Sequence, residues 1–323
     1  MAVHEIRLSQ NSLIGCFTTE VSPLATIASG DIIRFQTPDA AWGQGVTYPD
    51  RFKPYARREQ LDGGHALIGP FCMEHAKRGM TLAITFNRII PGRYGFTAAG
   101  HYPNWQNRQL HLTDFDELVL DWTLDPEAMT GSTRIRDRDF SVKLSPFMGV
   151  IGMPPESTGI HSTWPPRWCG GNIDCKELVS GSTLYLPVPV DGAYFAIGDG
   201  HAAQGDGEAS CQAIECPMDE VEITVDLLPG MSLIRPRANT PAGWITFGFH
   251  EDLNEATVQA LDGMLNLMGE LYGLNRVEAM ALGSSVIDIR VTQIVNGVKG
   301  VHACLPHGAL KVDTKASLRR ERL

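Results

Sequence analysis

The chain has 323 residues, 43% hydrophobic and 20% charged, a globular balance that excludes disorder over most of its length. Its net charge of −10 would repel nucleic acid and anionic membranes alike, and no apolar run approaches the roughly 20 residues that span a bilayer. Seven cysteines without a repeated CxxC pair, and a polar start (MAVHEIRLSQ) without a secretory signal, predict reduced thiols and a cytoplasmic protein.

Glycine and proline punctuate the first 245 residues at short intervals. Between them lie runs rich in β-branched and aromatic residues: DIIRFQT (31–37), MTLAITFNRII (80–90), ELVLDWTL (117–124), STLYLPVPV (182–190), AYFAIGD (193–199) and DEVEITVDLL (219–228). Several alternate apolar and polar residues, the period of a half-buried strand. Many short strands with frequent turns predict a mainly β protein with a β-sandwich-like body over residues 1–245.

The pattern changes in the remaining segment, 246–323. Asp252 and Glu255 predict an N-cap with its capping-box partner. Apolar residues then recur at three- and four-residue steps to Tyr272, and Gly273 suits the C-terminal cap. Asn275 and Glu278 repeat the capping signature for a shorter helix to about Leu282. A strand at 286–295, the turn Asn296-Gly297 and a partner strand in VKGVHACLP complete an α+β portion of two helices and a hairpin. The end, KASLRRERL, is expected to be a basic, frayed tail. The two portions are expected to pack as one unit.

The polar stretch GDGHAAQGDGE (198–208) can build neither a core nor a good helix. It is predicted to be a strand-connecting loop between AYFAI and a second run, SCQAIE. Its glycines would permit positive φ and keep bulk away from a bound group. Asp199, His201, Asp206 and Glu208 offer imidazole and carboxylates, a suitable donor set for zinc. No GxxxxGK[ST] loop and no EF-hand ladder is present. Residue types alone leave two readings open: a metal or catalytic site, or a solvated turn whose acids cap their own backbone.

A second polar cluster, RWCGGNIDCKE (167–177), adds Asp174 as a possible ligand and Asn172 as a possible substrate-orienting amide; taken alone it also reads as an Asx-type turn. Cys175, Lys176 and Glu177 invite comparison with a Cys–Lys–Glu amidase, but consecutive residues in an extended chain point apart. The GxSxG elbow of serine hydrolases is absent. His65, His75 and His101 read as turn residues, Glu74 as a structural or metal-linked carboxylate, and the tryptophans as core or pocket wall.

The chain resembles the acetamidase/formamidase family. The resemblance rests on GGNIDCKEL (170–178), GSTLYLPVPVDGAYFAIGDGHAAQGDGE (181–208), and WITFGFHEDLNEA (244–256) through DIRVTQIVNGVKGVHACLP (288–306). GPFCMEHAKRGMTL (69–82) resembles an early motif of the family, although Cys72 and His75 depart from it, and His250 stands where the family commonly has an acid. The resemblance implies hydrolysis of short aliphatic amides to a carboxylate and ammonia on a mainly β fold, with metal support and assembly at least as a homodimer. Asn172, Asp174, Asp199, His201, Gln204, Asp206 and Glu208 match its two motifs.

On this reading Asp174 and His201, with Asp199 or Asp206, hold a divalent ion, zinc in the first place, with calcium as an alternative structural ion. Glu208 acts as general base and then proton donor, while Asn172 and Gln204 bond the substrate amide or the oxyanion. An esterase or carbamoyl-compound hydrolase using the same site, and a non-catalytic metal or small-molecule binding protein, are the alternatives.

Overall fold

The computed structural model describes residues 1–43 and 53–312; the basic tail lies outside them. The first ten strands are β1 (Val3–Ile6), β2 (Leu13–Ile14), β3 (Ala25–Ile27), β4 (Asp31–Thr37), β5 (Leu67–Met73), β6 (Thr81–Pro91), β7 (Tyr94–Ala99), β8 (Leu118–Asp125), β9 (Thr130–Ile135) and β10 (Arg138–Lys143). Then follow β11 (Phe147–Gly152), β12 (Gly170–Asn172), β13 (Thr183–Pro187), β14 (Phe195–His201), β15 (Met218–Leu228), β16 (Arg237–Asn239), β17 (Gly243–His250), β18 (Asp288–Gln293) and β19 (Lys299–Pro306). A short helix, α1 (Trp105–Gln109), follows β7, and α2 (Leu253–Tyr272) and α3 (Arg276–Gly283) separate β17 from β18. The protein is mainly β, with two C-terminal helices and a hairpin, as expected.

A nine-stranded sheet runs β1-β4-β15-β6-β13-β16-β17-β19-β18, and a six-stranded one contains β12-β11-β14-β5-β2 with β3 beside β5. Alternation decides which side chains enter the space between them. In β4, Ile33 and Phe35 are buried whereas Arg34 and Gln36 are exposed or half-exposed. They share one core with Ile84, Phe86, Val221 and Ile223 of the same sheet and with Ile68, Phe71, Phe195 and Ile197 of the other. Each fully buried side chain of this kind contributes about 1.5–3 kcal/mol. A four-stranded meander, β10-β9-β8-β7, extends outward. The nine-stranded sheet runs through both portions of the chain, because β17, which contains residue 245, pairs with β16 on one side and β19 on the other.

Helix α2 buries Ala256, Ala260, Met264, Leu267 and Met268 in one cluster with Val301, Ala303 and Leu305 of β19. Asp252 caps it by accepting from Asn254 N at 2.7 Å, and Gly273 ends it in the left-handed region. The expected box with Glu255 does not form. Its donor, the Asp252 N–H, is taken by His250 Nδ1 at 2.9 Å. At α3 the box is complete: Asn275 accepts from Glu278 N, and Glu278 Oε2 accepts from Asn275 N.

Two further expectations are corrected. The strand predicted over 182–190 stops at Pro187, since prolines 187 and 189 cannot donate to a ladder. GDGHAAQGDGE does not begin as a loop: Gly198 to His201 finish β14, with Gly198 paired to Val150 of β11 and Leu67 of β5. Gly198 and Gly200 serve close approach there rather than positive φ. A Cβ on Gly198 would meet Ala66 O at 2.3 Å, and one on Gly200 would meet Cys216 O at 2.8 Å.

Candidate active site

Four segments converge where β12 and β14 end beside the first half of β11. Strand β14 supplies Asp199 and His201, and the chain just past β12 supplies Asp174. The loop after β14 returns Glu208, then Glu215 through the bridge His201↔Glu215. All five side chains are buried, none more than 6% exposed. Asp174, Asp199 and Glu208 take positive φ of 52°, 62° and 48°. Such conformations cost of order 1–3 kcal/mol for a residue with a Cβ and gather at functional sites.

The hydrogen bonds define how the group is aimed. His201 Nδ1 lies 3.0 Å from Gln204 Oε1, which can only accept, so Nδ1 carries the proton and Nε2 faces the cluster. Gln204 is itself fixed by donating Nε2 to Asp174 O at 2.8 Å. Asn296 Nδ2 donates to Asp174 Oδ2 at 2.6 Å. Asp174 Oδ1, Glu208 Oε2, Glu215 Oε2 and Asn172 Oδ1 are buried without a hydrogen-bond partner. His201 Nε2 stands 3.4 Å from Asp199 Oδ2 and 3.3 Å from Glu215 Oε2. These gaps are long for hydrogen bonds, but two ligands about 2.0 Å from a tetrahedral zinc stand about 3.3 Å apart.

Two overlapping sets of donor atoms, Asp174/His201/Glu208 and Asp199/His201/Glu215, each lie within 4.8 Å of one another. Gly149 of β11 clears the space between them. A Cβ there would stand 2.6 Å from Asp174 Oδ1 and from Asp199 Oδ2. The residues therefore fit a bound cation: orphaned oxygens and an imidazole nitrogen face a hollow that a methyl group would fill.

Electrostatics agree. Burial, with the Asp199 charge, pushes Asp174 up to about 7, although His201, Asn296 and Glu208 pull the other way. Glu208 is pushed well above the usual carboxylate range by burial and by Asp174. Burial works to raise Asp199, but His201, His65 and the hydrogen bonds with His201 and Glu215 together hold this carboxyl below its ordinary value. Burial opposes the charge on His201, yet Glu215 and Asp199 hold its pKa well above normal. One imidazole is shared among too many carboxylates for all of them to ionise freely.

Asp199, His201, Glu208 and Glu215 form the floor of a cavity of about 260 Å³ whose wall includes Arg57, His65, Trp164, Cys211 and Gln212. Asn172 and Asn296 line it as well. Asn172, Asp174, Asp199, His201 and Glu208 are thus brought together, with Gln204 behind His201. Asp206 lies apart, ion-paired with Lys176 and 3.9 Å from Arg290. Glu74, His75 and His101 are exposed. Trp42 is core, whereas Trp164 is pocket wall. Glu215 and Asn296 escaped notice in the sequence. Glu215 sits in SCQAIE, expected to be a strand but present only as isolated bridges, and its one local signal is an acid between the apolar Ile214 and Cys216. Asn296 read only as a turn residue.

Residues 157–307 match the pattern of the Acetamidase/Formamidase family. An acetamidase of Mycolicibacterium smegmatis is 46% identical over 69 residues, 21% of this chain and 17% of that protein. A formamidase of Methylophilus methylotrophus is 52% identical over 54 residues, 16% of this chain and 13% of that protein. Both alignments span under a fifth of the relative's length. The crystal structure of an acetamidase from Bacillus halodurans superposes with a TM-score of 0.78 at 28% identity, covering 93% of this chain and 97% of that one. With the sequence pattern in its second half and an acetamidase-like fold over nearly its whole length, the chain is similar to the acetamidase/formamidase family.

Proposed function

We propose that this protein hydrolyses short aliphatic amides to a carboxylate and ammonia at the buried cluster. The observation that carries the reading is the set of partnerless carboxylate oxygens and His201 Nε2 at the floor of the cavity. The names of the relatives, acetamidase and formamidase, support the substrate class. Asp199, His201 and Glu215 would hold a divalent ion; an imidazole among carboxylates favours zinc over calcium, which takes oxygen ligands. When bound, that ion supplies Lewis acidity to the amide carbonyl.

The chain's own groups handle protons and orientation. Glu208 and Asp174 repel each other in a site shut off from water, so the pair retains a proton near neutral pH. Attack of water forms the new C–O bond and delivers a proton to this pair. Rupture of the C–N bond takes a proton from Glu208 to the nitrogen, which leaves as ammonia. Asn172 Oδ1, lacking a partner and lining the cavity, accepts from the substrate N–H and orients the amide. Gln204 holds His201 rather than the substrate.

Ammonia release from formamide and acetamide is measured before and after chelation and after zinc is restored. Loss on chelation and recovery with zinc are expected, and Glu208→Gln is expected to lower kcat about 100-fold or more. Chelator-insensitive turnover abolished by iodoacetamide would move the chemistry to a cysteine. Bound metal without turnover on amides, esters and carbamoyl compounds would make the protein a binding module. Turnover of esters or carbamoyl compounds alone would reassign the substrate. The reading extends to a cytoplasmic homodimer or higher homo-oligomer. Seven unpaired cysteines and the apolar residues Val277, Met280 and Leu282 exposed on α3 support it, and light scattering tests the assembly.

A further inference from the structure

One residue past Asp174 the chain enters a second buried cluster that the amide chemistry does not use. Cys175 and His302 of β19 are fully buried, and Glu177 is largely so. One donor atom from each lies within 4.8 Å of the others. Cys175 Sγ is 3.3 Å from Glu177 Oε2, and His302 Nε2 is 3.4 Å from the same oxygen. His302 Nδ1 is occupied by Thr292 Oγ1 at 2.7 Å, whereas Nε2 is buried and has no hydrogen-bond partner. Glu177 Oε1 is taken by Lys176 Nζ at 3.2 Å and Arg290 Nη1 at 3.0 Å, which leaves Oε2 for the cluster. Cys175 and Lys176 reach different oxygens of Glu177, Oε2 and Oε1, because residues 176–177 form a turn rather than an extended strand.

Thiol, imidazole and carboxylate are the three side chains that zinc prefers. Around a tetrahedral zinc, oxygen and nitrogen ligands at about 2.0 Å stand about 3.3 Å apart, and a sulfur at about 2.3 Å stands about 3.5 Å from either. The observed separations match that spacing. Thiolate and carboxylate together balance a dication. Glu177 also lines a shallow cavity with Lys176, Gln204 and Thr240, so the cluster is not sealed from solvent.

We propose that Cys175, Glu177 and His302 form a second, structural zinc site that clamps the segment after β12 onto the β18–β19 hairpin. Those two elements are the ones that bring Asp174 and Asn296 together at the cluster, and β18 also holds the Glu208 loop through Thr292 O and Gly207 N at 3.1 Å. The site is independent of the amidase reading, because none of its ligands belongs to the cluster at His201.

The test loads the purified full chain with cobalt(II) and records the near-ultraviolet thiolate-to-cobalt charge-transfer band, alongside zinc content by mass spectrometry. The band is expected in the wild type, absent in Cys175→Ser and retained in His201→Ala. Zinc content is expected to fall by one equivalent in Cys175→Ser and in His302→Gln. A cobalt-saturated wild type without the band, or a band that persists in Cys175→Ser, would overturn the proposal and leave a hydrogen-bonded network. Should Cys175→Ser not fold, the wild-type spectrum and the zinc content of His302→Gln decide the matter.

Discussion

Replacing Gly149 by alanine adds one methyl group at the centre of the candidate site. Gly149 lies in β11 between the register pairs Phe147↔His201 and Val150↔Gly198. Its φ lies outside the left-handed region, so the substitution tests bulk and not backbone freedom. The new Cβ would stand 2.6 Å from Asp174 Oδ1 and Asp199 Oδ2 and 2.9 Å from His201 Cε1, whereas ordinary contact begins near 3.4 Å. Both carboxylates must then retreat by most of an ångström. A misplacement of about 1 Å costs on the order of 100-fold in rate, or about 2.7 kcal/mol of transition-state stabilisation. Overpacking should take about 1–3 kcal/mol from stability. Ammonia release, bound zinc and thermal unfolding of Gly149→Ala measure the three effects. Kinetics and metal content indistinguishable from wild type would refute the assignment of this hollow as the reacting centre.

Further outcomes follow from the same contacts. Asn296→Ala removes the donor to Asp174 Oδ2 and should cost about 1.5–3 kcal/mol of stability by denaturant unfolding, the range for a hydrogen bond to a charged group. An unchanged midpoint would show that the bond contributes nothing. In the metal-free protein Asp174 titrates near 7, above its unfolded value of about 3.9, so its stabilising contribution is present below the unfolded value and lost as pH rises through 7. The melting temperature of metal-free protein should therefore fall from pH 5 to pH 8 more steeply than that of Asp174→Asn; equal slopes would count against a buried, titrating Asp174. Gln204→Leu should loosen His201 and lower zinc affinity about 10–100-fold, the usual effect of losing a partner that orients a metal-bound imidazole, as read by competition with a chelator.

Much of the architecture was legible in residue order. DIIRFQT forms β4 with the predicted bounds, because alternation and β-branching describe a strand buried on one face. The stepped apolar residues between Asp252 and Gly273 form α2, because both its ends are marked by local chemistry. The segment with Asn296-Gly297 joins β18 to β19 as a hairpin. One local signal misled through competition for a donor: His250 takes the N–H that a capping box at Asp252 would need. The candidate site was legible in part for the same reason. Asp174, Asp199, His201 and Glu208 lie in short polar motifs that have no use in a core, whereas Glu215 hides in an apolar run and Asn296 in a turn.

Sequence alone determined the mainly β class, the C-terminal helices, the acidic surface and the two polar motifs, because periodicity, capping residues and charge act within a few residues of one another. Tertiary structure alone decided that Gly198 to His201 lie in a strand, that Glu215 and Asn296 join the cluster, and that Asp206 turns outward to Lys176. It also brought Cys175 to His302, which the chain separates by well over a hundred residues. These outcomes depend on which strands pair and in what register. A register shift of one residue would exchange the faces of β14, sending Asp199 and His201 to the other side of the sheet.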